Sequence, residues 1–178
     1  MGYIERLAEY LAVSIHNNHP ESQIAVHKYV LTALLNLIVI ISLVLITAAF
    51  LGHFIDALIC VLPFPILRFV SGGMHFKNEW LCNLVTSFFI LLAIYLPIDY
   101  WYTGFIINSF AAMILLINTP SGAQGTLDKK FYPILKGIAF LIVSSNFLFQ
   151  SHILATLFFI QSLTTFSFSQ KLIYRFKL

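Results

Sequence analysis

At 178 residues the chain is 60% hydrophobic and only 10% charged, with a mean hydropathy of +0.90, whereas a soluble domain carries about 25% charged residues. This composition excludes an ordinary water-soluble domain and fits a protein whose solvent is lipid. The formal charge of +3 is small, so no nucleic-acid partner is expected and the placement of the charges matters more than their sum.

In chain order, the first 29 residues carry Glu5, Arg6, Glu9, Glu21 and Lys28 and no long apolar core ahead of a small-residue cleavage site. No secretory signal is therefore expected, and the first span is read as retained. Residues 3–16, YIERLAEYLAVSIH, place Ile4, Leu7, Leu11 and Ile15 at helical spacing, with Glu5, Arg6 and Glu9 on the other side. Two readings stand for this stretch: an amphipathic helix lying at the membrane surface, or an ordinary packed helix end.

A helix needs about 20 mostly apolar residues to cross the hydrocarbon core. Six spans are predicted, over residues 30–51, 54–69, 81–98, 102–118, 131–149 and 152–168. The second holds Pro63 and Pro65, and proline kinks or breaks a membrane helix because it lacks an N–H and crowds the preceding turn. Between the third and fourth, Pro97, Asp99 and Tyr100-Trp101-Tyr102 mark an interfacial turn with an aromatic belt. The expected fold class is all-α: a polytopic membrane protein of six transmembrane helices, with an N-terminal amphipathic helix and a glycine-broken segment after the second span. A single integral membrane domain covers 1–178, comprising an N-terminal region over 1–29, the six-span body over 30–168 and a basic tail over 169–178.

Charge placement agrees with six spans, which put both ends on one side. All ten Lys and Arg residues then share that side: Arg6, Lys28, Arg68, Lys77, Lys129, Lys130, Lys136, Lys171, Arg175 and Lys177. The opposite loops, near Gly52-His53, Asp99 and Gln150-Ser151, have none. The positive-inside rule places both termini in the cytoplasm, and five or seven spans would spoil the partition. Residues 119–130, TPSGAQGTLDKK, form the clear polar loop. It shares its side with residues 68–80, so the two segments could meet.

Residues 68–82, RFVSGGMHFKNEWLC, fit lipid poorly. Arg68 at the end of a hydrophobic stretch is either a snorkelling anchor or a guanidinium that holds a carboxylate or steadies developing negative charge. Gly72 and Gly73 suit a tight turn or the close approach of another backbone. His75 and Cys82 would lie about 10.5 Å apart along one straight helix, too far for a nucleophile and its base, which need roughly 3 Å. Asn78 offers a break, since it can cap a helix starting at Glu79. Cys82 then sits near the positive end of that helix, which favours a thiolate, and His75 in the preceding turn can fold back toward it.

Other readings of these side chains are bland. A lone membrane cysteine is usually a small hydrophobe, which suits Cys60. Two cysteines make no disulfide framework. The scattered His16, His19, His27, His53 and His152 show no metal-ligand spacing, so neither metal nor cofactor is expected. Ser71 lacks a Gly-x-Ser-x-Gly setting.

The spacing Arg68-x4-Gly73-x-His75-x6-Cys82 closely resembles the signature of the accessory gene regulator protein B (AgrB) family, and the six-span plan is similar too. The resemblance implies a membrane cysteine endopeptidase of a Gram-positive bacterium. Such enzymes cut the C-terminal tail from an AgrD-like quorum-sensing pro-peptide and help close it into a thiolactone or lactone ring. It implies Cys82 as nucleophile, His75 as general base, and Gly73 and Arg68 as positions needed for activity, in a homodimer. Asn118-Thr119-Pro120 and Pro133 loosely match the family's polar loop. Gly72 supports the turn, and Asn78 and Glu79 are candidates to orient the imidazole. Lys77, Lys129 and Lys130 are expected to attract an acidic peptide tail at the lipid surface; their alternative is topology alone. The competing function is a small membrane transporter or peptide exporter that binds substrate at Arg68 and the Gly-Gly break without covalent chemistry.

Overall fold

The computed structural model describes residues 2–21, 23–74, 76, 78–121, 128–169 and 175. Among the described residues, eight α-helices account for nearly all of the regular structure: α1 (Tyr3–Asn18), α2 (Ile24–Phe50), α3 (Phe54–Val61), α4 (Pro63–Ser71), α5 (Glu79–Tyr95), α6 (Phe105–Asn118), α7 (Tyr132–Phe149) and α8 (His152–Thr164). A π-helical turn, Tyr100–Gly104, leads into α6, and a 3₁₀ turn, Lys129–Phe131, leads into α7.

Local chemistry explains several of the helix ends. Pro63 separates α3 from α4 because its nitrogen cannot donate to the turn before it. Asn78 caps α5, its Oδ1 accepting from the Trp80 and Leu81 amides at 3.0 and 3.4 Å. At its other end α5 stops at Tyr95, two residues short of Pro97. Ser151 caps α8 through a bond from the Leu154 amide.

Among the described residues, four stretches are long and apolar enough to cross a membrane: Ile24–Phe50, Phe54–Ser71, Tyr100–Asn118 and Lys129–Phe149. The chain is thus a membrane protein in its composition and in its helices. The other two apolar helices are shorter than the predicted third and sixth spans. Glu79–Tyr95 has 17 residues and His152–Thr164 has 13, the latter only about 20 Å long against a hydrocarbon core of about 30 Å. The shortness of α8 goes with its position. It packs against α3, α4, α5, α6 and α7, and Ile153, Leu154, Leu157 and Phe158 are buried on it together with the polar Gln161, Ser162 and Thr164. A helix enclosed by its neighbours can end in polar residues that bond to them.

The N-terminal helix keeps most of its predicted face, with Ile4 buried and Leu11 and Ile15 partly buried. It packs on α2 through Ile4, Ala8 and Ala12, and Leu7 is exposed. The alanines let the two backbones approach closely. Glu5 and Glu9, predicted on the outward side, pair with Lys28 of α2 at 3.5 and 3.1 Å. Residues 3–16 thus form a helix packed on α2, with Tyr3, Leu7, Tyr10 and Val13 exposed on its outer side.

The core runs through Val44, Phe64, Leu67, Ile90, Leu115, Val143, Leu157 and Phe158. A buried amide network ties its α7–α8 end. Asn146 Nδ2 donates to Asn108 Oδ1 and to the Ser151 carbonyl, and its Oδ1 accepts from the Ser151 amide. The opposite end gathers the C-termini of α4, α6 and α8 and the N-terminus of α5, and the unusual residues lie there.

Candidate active site

Helix α4 ends where its sequence turns to glycine. Gly72 takes φ 70°, ψ −147° and Gly73 takes φ 136°, conformations that only glycine adopts without strain. Space makes the same demand. A Cβ on Gly72 would collide with the Ser121 carbonyl, and one on Gly73 would lie 2.7 Å from Thr164 Oγ1. The glycine pair thus admits two neighbours, the loop after α6 and the last turn of α8. Ser121 N donates to the Ser71 carbonyl at 2.8 Å, Gly73 N donates to the Ser121 carbonyl at 3.4 Å, and Ser121 Oγ donates to the Thr165 carbonyl at 2.8 Å. The segments 68–80 and 119–130 do meet.

Beyond the turn, Asn78 starts α5 and puts Cys82 in its first turn, partly buried. Arg68 reaches across from α4. Its Nη2 donates to the Met74 carbonyl at 2.8 Å and lies 3.9 Å from Cys82 Sγ, while Nη1 is 3.5 Å from Gln161 Oε1. A guanidinium carries donors only, so the groups around it divide into two neutral acceptors and one sulfur. The Arg68 head group is thus turned inward, toward the thiol.

The family model for accessory gene regulator B matches residues 4–174, nearly the whole chain. The chain belongs to the accessory gene regulator B family. No curated protein and no solved structure matches it.

Of the residues read from the sequence in this AgrB-family protein, the fold brings Arg68, Gly72, Gly73, Asn78 and Cys82 to one end of the bundle. His75 and Lys77 lie outside the described residues. Asn78 Oδ1 is occupied by the two amides that it caps. The Glu79 carboxylate turns toward Gly2, and its Oε2 is buried without a hydrogen-bond partner among the described residues. Lys129 and Lys130 are exposed at the head of α7. Lys130 pairs with Asp128 at 3.0 Å and sits over the Phe131 ring, and among the described residues neither lysine makes a polar contact with Arg68 or Cys82. Ser71 is fully buried with its hydroxyl engaged by Gln161, which argues against it as a nucleophile. Among the described residues, no group of three His, Cys, Asp or Glu side chains is placed to hold a metal.

Sequence reading missed Gln161, Thr164 and Ser121. Only Gln161 left a signal: it is the single amide in α8, an otherwise largely apolar helix, and a buried amide demands partners.

Proposed function

We propose that this AgrB-family protein is a multi-pass membrane cysteine endopeptidase that removes the C-terminal tail of an AgrD-like pro-peptide through a peptidyl thioester on Cys82. The observation that carries this reading is the 3.9 Å approach of Arg68 Nη2 to Cys82 Sγ. A cation beside the sulfur stabilises the nucleophilic thiolate and then the oxyanion that forms when it attacks.

In the proposed reaction His75, assigned by its place in the motif, takes the thiol proton. Cys82 Sγ bonds to the scissile carbonyl carbon. The C–N bond breaks, and His75 returns the proton to the departing amine of the tail. A thiol or hydroxyl of the retained peptide then attacks the thioester. The Sγ–C bond breaks, Cys82 regains its proton, and the peptide closes as a thiolactone or lactone. The thioester preserves acyl reactivity for this second step, provided that water is kept from it. The glycine turn supported by Ser121 and α8 gives the site walls on two sides. Lys77, Lys129 and Lys130 are proposed to draw an acidic tail toward it.

The one-sided distribution of all ten basic residues supports six crossings with both termini and the site on the cytoplasmic side, α5 and α8 crossing within the bundle. The expected assembly is a homodimer in the cell membrane of a Gram-positive bacterium.

Intact-mass measurement of the protein in vesicles after addition of the pro-peptide tests the proposal. A peptidyl adduct on Cys82 that is absent from Cys82→Ala is expected. Cleavage that survives Cys82→Ala rejects the mechanism, and substrate transport without any adduct favours a carrier.

A further inference from the structure

The residue with the most unexplained hydrogen bonding lies on α8, well outside the motif. Gln161 is fully buried. Its Nε2 donates to the Gly72 carbonyl at 2.7 Å and to Ser71 Oγ at 3.0 Å. The Gly72 carbonyl can only accept, so the amide nitrogen must face it and the orientation of the side chain is determined. The amide oxygen is thereby left facing Arg68, at 3.5 Å from Nη1. An oxygen is the atom a guanidinium requires there, because arginine has five donors and no acceptor.

We infer that Gln161 is a positioning residue: it locks the Gly72 turn with one end of its amide and aims the Arg68 guanidinium at Cys82 with the other. This rests on the reading of Cys82 as nucleophile and adds how its charge environment is set. The Met74 carbonyl, 2.8 Å from Nη2, is the second guide. Nη2 is held by Met74, and Gln161 Oε1 at the longer 3.5 Å gives Nη1 an acceptor that favours this orientation of the planar head group. Its Nη2 edge is kept at the sulfur. Gly73 belongs to the same device, since a Cβ there would come 3.3 Å from Gln161 Nε2 and press the amide away from the Gly72 carbonyl.

The local charge at Cys82 is measurable without any peptide. In a Cys60→Ala background, Cys82 is alkylated with neutral iodoacetamide and with anionic iodoacetate, and the ratio of the two rates reports positive charge beside the sulfur. A unit charge about 4 Å away favours the anionic reagent by roughly fivefold even in a water-like dielectric. Arg68→Met is expected to lower that preference to the remainder set by the His75 imidazolium and the α5 N-terminus. Gln161→Met, which fills similar volume without the amide, should lower the ratio most of the way to the Arg68→Met value and have no further effect in the Arg68→Met background. Gln161→Asn keeps an amide but is one carbon too short to reach both partners, and it should also lower the ratio; it decides the question if Gln161→Met does not fold. A wild-type ratio in either folded variant, or an equal drop with and without Arg68, overturns the inference. These results are independent of the peptidase proposal, which fails separately if the wild-type protein forms no peptidyl adduct.

Discussion

Gly73 lies against Thr164: a Cβ added to the glycine would come 2.7 Å from the threonine hydroxyl. Residues 91 positions apart thus share one atom's space, and the side chain given up at Gly73 is occupied from α8. Gly73→Ala is expected to reduce both stability and the rate of peptidyl adduct formation. Thr164→Ala in the same chain removes the collision but leaves φ at 136°, so it should restore only part of both. Melting temperature in detergent and single-turnover adduct formation check this, and full rescue would mean that backbone conformation is of no consequence there.

Gly72 faces a harder obstacle, a main-chain carbonyl at Ser121. No rotamer change relieves that contact, and the backbone conformation alone costs about 1–3 kcal/mol for a residue with a Cβ. Gly72→Ala should therefore lower stability by more than Gly73→Ala does, and no substitution of the Ser121 side chain should rescue it.

Replacing the arginine separates charge from geometry. Arg68→Met should slow adduct formation by about 10²–10³-fold, the range found on removing one oxyanion donor. Arg68→Lys keeps the charge but not the planar fork that meets the Met74 carbonyl, Gln161 and Cys82 together. Its rate should fall between the two. Equal rates for Lys and Arg would reduce the role of Arg68 to charge alone.

The two thiols should behave oppositely. Cys60 is fully buried in the core, so Cys60→Ala is expected to leave adduct formation near the wild-type level. Cys82→Ala should abolish it. His75→Ala should slow it by about 10²–10⁴-fold, the usual contribution of a positioned base. Loss of activity in a well-folded Cys60→Ala protein would assign the chemistry to the wrong sulfur.

At the far end of the bundle, Asn146 satisfies the α7–α8 turn and bonds to Asn108. Asn146→Ala leaves those buried groups without partners and should cost about 1–3 kcal/mol. Adduct formed per folded molecule should not change, because the network is remote from Cys82. Denaturation in detergent alongside active-site titration distinguishes the two effects.

Much of the architecture was legible in the linear chain. The apolar runs, the prolines at 63 and 97 and the Asn78 cap mark helix ends, because each acts on main-chain groups within a few residues of itself. The glycines at 72 and 73 announced a turn for the same reason. The amphipathic reading of residues 3–16 placed its buried face on the large apolar residues. The packed face keeps Ile4 but adds Ala8 and Ala12, whose small side chains let α1 approach α2 closely.

The sequence by itself thus determined a helical membrane protein and the family motif around Cys82. Only the tertiary structure decided what surrounds them. The enclosed position of α8 brings Gln161 to Arg68 across 93 residues, and the loop after α6 brings Ser121 to Gly72. Hydropathy cannot rank such contacts. Every span looks alike to lipid, and which faces turn inward depends on how all the helices pack together.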